Sequence, residues 1–268
     1  MPDAISPKFL ATAVQAVTRA GAMQLAGIDH LRIEKKGAID LVTQIDREVE
    51  TMFRALVAER FPDHLVLAEE FASGGDRHRD AEYTWVLDPV DGTTNYAHGL
   101  PIFCCACSLE HHGQPIVSAI YDPSRRELFT AERGIGAWLN GAPMRVSSAD
   151  TLIDALLCTG FPYSVQTDSG AMLDLFGDFL RHARAVRRLG SAAIDMAYVA
   201  AGRLDGFWEV KLNPWDISAG ALMVDEAGGR VSGLLGGPFD SRRGEVVASN
   251  GRIHDAMVAV VRARSGTA

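Results

Sequence analysis

Apolar positions recur along the chain with two different periods, and the change of period divides it. After Ser6, an N-cap candidate with Pro7 at the first helical position, Leu10, Val14, Val17, Gly21 and Leu25 repeat at helical spacing. A second helix is predicted by the single stripe Ile45, Val49, Met52, Phe53, Leu56 and Val57, and Pro62 follows its end. Two short strands come next, Leu65 to Ala68 running into Glu69-Glu70 and Trp85 to Leu87 running into Asp88, with the polar loop Ser73 to Arg77 between them. Phe103 to Leu109, Ile116 to Tyr121 and Glu127 to Ala131 are separated by His112-Gly113-Gln114-Pro115 and Asp122-Pro123-Ser124, short turns that predict antiparallel neighbours. After Ala149 strands and helices alternate. The strands expected are Ala155 to Thr159, Arg184 to Arg187, Gly206 to Val210 and Glu245 to Ser249; the helices are about 171–182, 192–201, 214–227 and 253–262. No internal repeat is visible. The pattern gives an α+β first half and an α/β second half packed as one unit, divided near residues 148 and 149.

Composition narrows the function classes. The 268 residues are 47% hydrophobic and 22% charged, which fits a globular core and excludes a disordered or collagen-like chain. Acidic side chains outnumber basic ones by 34 to 26, for a formal charge of -8, so a nucleic-acid partner is not expected. No run of about 18 mainly apolar residues predicts a membrane span. The N-terminus lacks a basic leader and its apolar residues are interrupted by Gln15 and Arg19, so no signal peptide is expected. Cys104, Cys105, Cys107 and Cys158 read as buried small hydrophobes in a reduced, cytoplasmic protein, since no His/Cys set has zinc-ligand spacing. The histidines read as surface or loop groups. There is no Gly-x-Ser-x-Gly elbow and no Walker motif, and Gly134-Ile135-Gly136 lacks the third glycine of a dinucleotide fingerprint.

The chemistry lies in carboxylates at element ends. Asp88 and Asp91 flank Pro89 at the end of an apolar strand, where Pro89 is expected to stop the ladder and Gly92 to let the chain turn or approach a ligand. The alternative is a turn acid followed by a helix-capping acid. Glu69 and Glu70 follow another strand. Asp216 falls in the first turn of a helix opened by Asn213 and Pro214, where the macrodipole alone favours an acid. Oxygen ligands without His or Cys suit Mg²⁺ or Mn²⁺.

The run Asp88-Pro89-Val90-Asp91-Gly92-Thr93-Thr94-Asn95, with Trp215-Asp216-Ile217-Ser218-Ala219-Gly220 downstream, resembles the paired signatures of the inositol monophosphatase family. Asp40-Leu41-Val42-Thr43-Gln44-Ile45-Asp46, Glu69-Glu70 and Gly190-Ser191-Ala192 match in the same order, from about Lys36 to Gly229. The resemblance implies a layered αβαβα sandwich of the sugar-phosphatase type and a homodimer. Residues 1–148 would carry most metal ligands, and 149–268 would complete the site. It implies that Glu69, Asp88, the Val90 carbonyl, Asp91 and Asp216 hold two or three Mg²⁺, with Asp88 shared. Thr93 and Asp46 match a pair that positions the attacking water, although Thr43-x-x-Asp46 also reads as a capping box. Asp91, Gly92, Thr93, Thr94, Gly190, Ser191, Ala192 and Asp216 match substrate contacts. One departure stands out: Ala68 replaces the usual Gly before the Glu pair. The family's early lysine is either Lys35 or Lys36.

Phosphate-monoester hydrolysis needs acceleration of up to about 10²¹-fold, and no side chain here is an obvious covalent nucleophile. Cation-assisted attack by water answers that need, with backbone N–H groups of Gly92 to Thr94 receiving phosphate oxygens. Glu209, seven residues before Asp216, matches a position contacting inositol hydroxyls, and Thr94-Asn95-Tyr96 resembles the inositol branch. The expected substrate is therefore inositol monophosphate. The alternatives are fructose 1,6-bisphosphate, histidinol phosphate or 3′-phosphoadenosine 5′-phosphate by the same chemistry, or a non-catalytic regulatory or binding protein on this fold.

Overall fold

The computed structural model describes residues 5–28, 33–35, 41–71, 81–167 and 169–265. Asp40, Lys36, the loop Ser73 to Arg77 and the last three residues lie outside the described residues. Helix α1 (Pro7–Gly27), hairpin strands β1 (Ile33–Lys35) and β2 (Leu41–Thr43), and helix α2 (Gln44–Arg60) lead into a seven-stranded sheet. Its strands run in spatial order: β3 (Leu65–Ala68), β4 (Tyr83–Asp91), β5 (Cys104–His111), β6 (Gln114–Asp122), β7 (Glu127–Glu132), β8 (Gly136–Leu139) and β9 (Ala142–Pro143). Short helix α3 (Thr93–Ala97) follows β4. Only β3 and β4 pair in parallel; β4–β5, β5–β6 and β6–β7 are antiparallel, as the short turns predict.

The second half supplies β10 (Leu156–Thr159), α4 (Gly170–His182), β11 (Ala185–Arg187), α5 (Ala192–Ala200), β12 (Gly206–Val210), α6 (Pro214–Glu226), β13 (Arg230–Ser232), β14 (Glu245–Ser249) and α7 (His254–Ser265). These strands form a five-stranded sheet in the order β11-β10-β12-β14-β13. Its β10 pairs run parallel, whereas β12–β14 and β13–β14 are antiparallel.

Side-chain alternation stacks these elements into five layers. Along β5, Cys105, Cys107 and Leu109 enter a core with α1 and α2, while Cys104 and Ala106 enter a second core with α5 and α6. Along β12 and β14, Phe207, Val246 and Ala248 join that second core, whereas Trp208 and Val247 face a third one with α4 and α7. The order is α1/α2, sheet, α5/α6, sheet, α4/α7: the αβαβα sandwich. Being covered on both faces, β5 reads as a continuous apolar run. The middle helices are apolar nearly all round, and Gly220 lets them touch, because a Cβ there would lie 2.5 Å from Met196 Cβ. All four cysteines are free and buried. Among the described residues no helix is long and apolar enough to cross a membrane.

Two expectations are corrected. Pro89 does not end β4, which runs on to Asp91 through a register shift against β5. A proline fits there because a bulge needs no ladder donor. Nor is every histidine a surface group. His254 is fully buried at the start of α7, with Nε2 2.9 Å from Ser232 Oγ and Nδ1 2.9 Å from Ser249 Oγ. Ser232 Oγ donates to the Gly233 carbonyl, and Ser249 Oγ accepts from the Gly251 N–H. The proton therefore sits on Nε2, and Nδ1 accepts from Ser249. Burial pushes the His254 pKa down to about 4. A depressed pKa contributes stability above the unfolded value, near 6.5, and that contribution is lost as pH falls through about 4. The melting-temperature gap between wild type and His254→Gln should therefore narrow between pH 7 and pH 4; a constant gap would contradict a neutral, buried imidazole.

Candidate metal and phosphate site

One cleft is lined by Glu69, Asp88, Val90, Asp91, Gly92, Thr93, Thr94, Gly190, Ser191, Ala192, Glu209 and Asp216, so every expected site residue except Asp46 lines it. Four element ends bring the proposed ligands to it: the end of β3, the β4 bulge, the start of α5 and the start of α6. At the bulge, Asp88 Oδ1 accepts the Val90 N–H at 3.0 Å and Thr93 Oγ1 donates to the Val90 carbonyl at 2.8 Å. Gly92 sits at φ +90, where a Cβ would also lie 2.8 Å from the Ile102 carbonyl oxygen, so both conformation and space require glycine.

The start of α5 holds Asp91. Its Oδ2 accepts from Ser191 Oγ at 2.6 Å and from the Ala193 N–H at 2.7 Å. The start of α6 holds Asp216, which accepts the Asn213 N–H at 2.6 Å. Helix α6 is anchored to the seven-stranded sheet two residues later: Ser218 Oγ donates to buried Glu110 Oε1 at 2.7 Å, and Arg242 pairs with Glu110 Oε2 at 2.8 Å. Burial, then repulsion from Glu69, Asp91 and Asp216, drives the Asp88 pKa well above its ordinary value. Burial also raises Asp91 against the bonds from Ser191 and Ala193. Asp216 rises to about 8, chiefly by burial, with Asp91 and Glu209 adding to it. Carboxylates this reluctant to ionise together are a fitting donor set for a hard divalent cation.

Asp46 occupies the capping box of α2, where its Oδ2 accepts from the Thr43 N–H at 2.8 Å and the Thr43 hydroxyl at 2.6 Å. Asp46, Glu69 and Glu70 each bring a carboxylate oxygen within 4.8 Å of the others, so Glu69 belongs both to this group and to the cleft. Ala68 is fully buried in the core with α1 and α2, where its methyl packs against apolar neighbours.

Sequence reasoning missed Gly160, Arg188, Asp195 and Lys211, which also line the cleft. A Cβ at Gly160 would lie 2.2 Å from Glu209 Oε2, so that glycine makes room for the acid. Burial raises Glu209 to about 8, with Asp195 adding to the effect and Arg188 opposing it. The signal available was positional: Gly160 directly follows a strand, and Arg188 lies two residues before Gly190.

The model of the inositol monophosphatase family matches residues 7–265. An inositol-1-monophosphatase of Mesorhizobium japonicum is 40% identical over 252 residues, covering 93% of this chain and 94% of that one. The Nus factor SuhB of Escherichia coli is 41% identical over 257 residues, covering 95% and 96%. The structure of inositol monophosphatase from Anabaena superposes with a TM-score of 0.85 at 38% identity, covering 96% of each chain. The chain belongs to the inositol monophosphatase family.

Proposed function

We propose that this protein is a Mg²⁺-dependent phosphomonoesterase that hydrolyses inositol monophosphate to inositol and phosphate. The observation that carries it is the convergence of four strand- and helix-end carboxylates beside the Gly92 turn in one cleft. The family relatives named inositol-1-monophosphatase support the substrate. Two or three Mg²⁺, or Mn²⁺, would be held by Glu69, Asp88, the Val90 carbonyl, Asp91 and Asp216, with Asp88 shared. Bound there, they supply Lewis acidity that makes a water nucleophilic and neutralises the leaving oxygen.

The chain's own groups do the rest. The Val90 carbonyl keeps a lone pair beyond the one Thr93 uses. Backbone N–H groups of Gly92, Thr93 and Thr94 receive the phosphate oxygens, and Gly190, Ser191 and Ala192 border the substrate in the same cleft. Thr93 and Asp46 orient the attacking water. Glu209 takes hydrogen bonds from polyol hydroxyls. We also read the protein as a cytoplasmic homodimer with no nucleic-acid partner.

Phosphate release from inositol 1-phosphate, fructose 1,6-bisphosphate, histidinol phosphate and 3′-phosphoadenosine 5′-phosphate, with and without Mg²⁺, tests this. Turnover should require Mg²⁺ and be fastest on inositol 1-phosphate; another leading substrate overturns the polyol assignment, and metal-independent turnover overturns the mechanism. Glu209→Gln should weaken kcat/KM for inositol 1-phosphate roughly tenfold more than for an aryl phosphate, and equal losses would remove its recognition role. A binding role beside catalysis is the second reading, favoured by the relatives named Nus factor SuhB. A specific partner still retained by Asp88→Asn in a pull-down supports that role, and no partner at physiological salt removes it.

A further inference from the structure

The bulge in β4 raises a question of hydrogen bonding. Asp88 pairs with Ala106 and Asp91 with Cys104, so Pro89 and Val90 both face Cys105 and have no register partners of their own. Their backbone polar groups are buried with the strand, and buried groups of this kind need partners. Pro89 has no N–H. The Val90 N–H goes to Asp88 and the Val90 carbonyl to Thr93, both residues of the cleft. The Pro89 carbonyl remains, and its partner comes from helix α1: Gln24 Nε2 donates to it at 2.8 Å.

The same Nε2 donates to the Cys104 carbonyl at 3.2 Å, so one primary amide ties the bulge to the start of the facing strand. Gln24 is fully buried, and Tyr96 of α3 fixes its backbone by donating to its carbonyl at 2.6 Å. Among the described residues Gln24 Oε1 has no hydrogen-bond partner. What Gln24 contributes among the apolar residues of α1 is therefore its donors. Leucine or methionine would fill the same space without leaving a buried oxygen unpaired.

We propose that Gln24 is a positioning residue for the metal site. It sets the direction of the Pro89 carbonyl, and through that peptide the relative placement of Asp88, the Val90 carbonyl and Asp91. This rests on the metal assignment given above. Without the amide, the Pro89 carbonyl is a buried acceptor with no donor, and the bulge relaxes to find one. The three oxygens then no longer converge.

The test is titration of Mg²⁺ into metal-free protein, read by calorimetry and by the Mg²⁺ midpoint of the thermal shift, alongside the Mg²⁺ dependence of phosphate release. Gln24→Met keeps the volume and removes both donors. It should weaken Mg²⁺ binding by roughly ten- to a hundredfold, the range for partners that orient metal ligands, with KM for substrate at saturating Mg²⁺ changed far less. Val17→Ala, a cavity in the same helix at an equally buried position, should lower the melting temperature and leave the Mg²⁺ midpoint unchanged. Should Gln24→Met not fold, Gln24→Asn, whose amide falls one methylene short, gives the same readout with a smaller shift. An unchanged Mg²⁺ midpoint in the Gln24 variants, or an equal shift in Val17→Ala, overturns the positioning role while leaving the metal site standing. A wild-type protein that does not respond to Mg²⁺ overturns the metal assignment itself.

Discussion

Asp88→Asn should lower Mg²⁺-dependent phosphate release by roughly 10³-fold or more, yet raise the melting temperature of the metal-free protein. The two changes have one cause. Asp88 is 3% exposed and faces Glu69, Asp91 and Asp216, so without metal its charge is both desolvated and repelled. Removing that charge relieves the folded state. With it goes one of the four carboxylates proposed to hold the metal, and an electrostatic contribution of that kind is worth several kcal/mol in a transition state. Steady-state kinetics beside thermal unfolding in chelator makes the comparison. Near-wild-type turnover would remove Asp88 from the metal site. Lost turnover with a lowered metal-free melting temperature would mean that the residue is structural.

The second large effect is the linkage of Mg²⁺ to pH. Asp88, Asp91 and Asp216 all have folded pKa values above their ordinary ones, with Asp216 near 8. A raised acid favours the folded state below its unfolded pKa, near 4, and loses that contribution as pH rises through the folded value. Metal-free protein should therefore lose stability between about pH 6 and pH 8.5. Mg²⁺ at a hundredfold above its dissociation constant should restore roughly 5 °C or more, and more at pH 8.5 than at pH 6, where protons compete for the same oxygens. In Asp216→Asn both the pH slope and the Mg²⁺ shift should shrink. A shift that ignores pH and is identical in that variant would leave Asp216 as a helix-end charge only.

How much of this is legible in the chain follows from where the information sits. The stripe from Ile45 to Val57 and the turns at His112 to Pro115 and Asp122 to Ser124 are local, and α2, β5, β6 and β7 appear where they predict. The β4 acids stand out as well, because Asp-Pro-Val-Asp-Gly follows the apolar run Trp85 to Leu87 within a few residues, although the strand itself continues through it to Asp91. What escapes is defined across distance. Gln24 meets Pro89 across 65 positions, and Ser191 meets Asp91 across 100. His254 looks like any loop histidine until Ser232 and Ser249 close on it. Also passed over in the sequence are α3, β8, β9 and β13, each of five residues or fewer.

The position of α5 and α6 between the two sheets also decides whether the molecule can be divided. A fragment ending near residue 148 would keep the β4 bulge and most of the proposed metal oxygens, but the inner faces of β5, β6 and β7 would lie open to water. It would also lack the N–H of Ala193 and the hydroxyl of Ser191 that hold Asp91. The complementary fragment would carry Asp216 on a helix without Glu110 to anchor Ser218. Co-expressed halves could regain the site only by reassembling around that helical layer. Split versions of this protein should thus behave as a complementation pair, silent apart and active together, rather than as two modules joined by a linker.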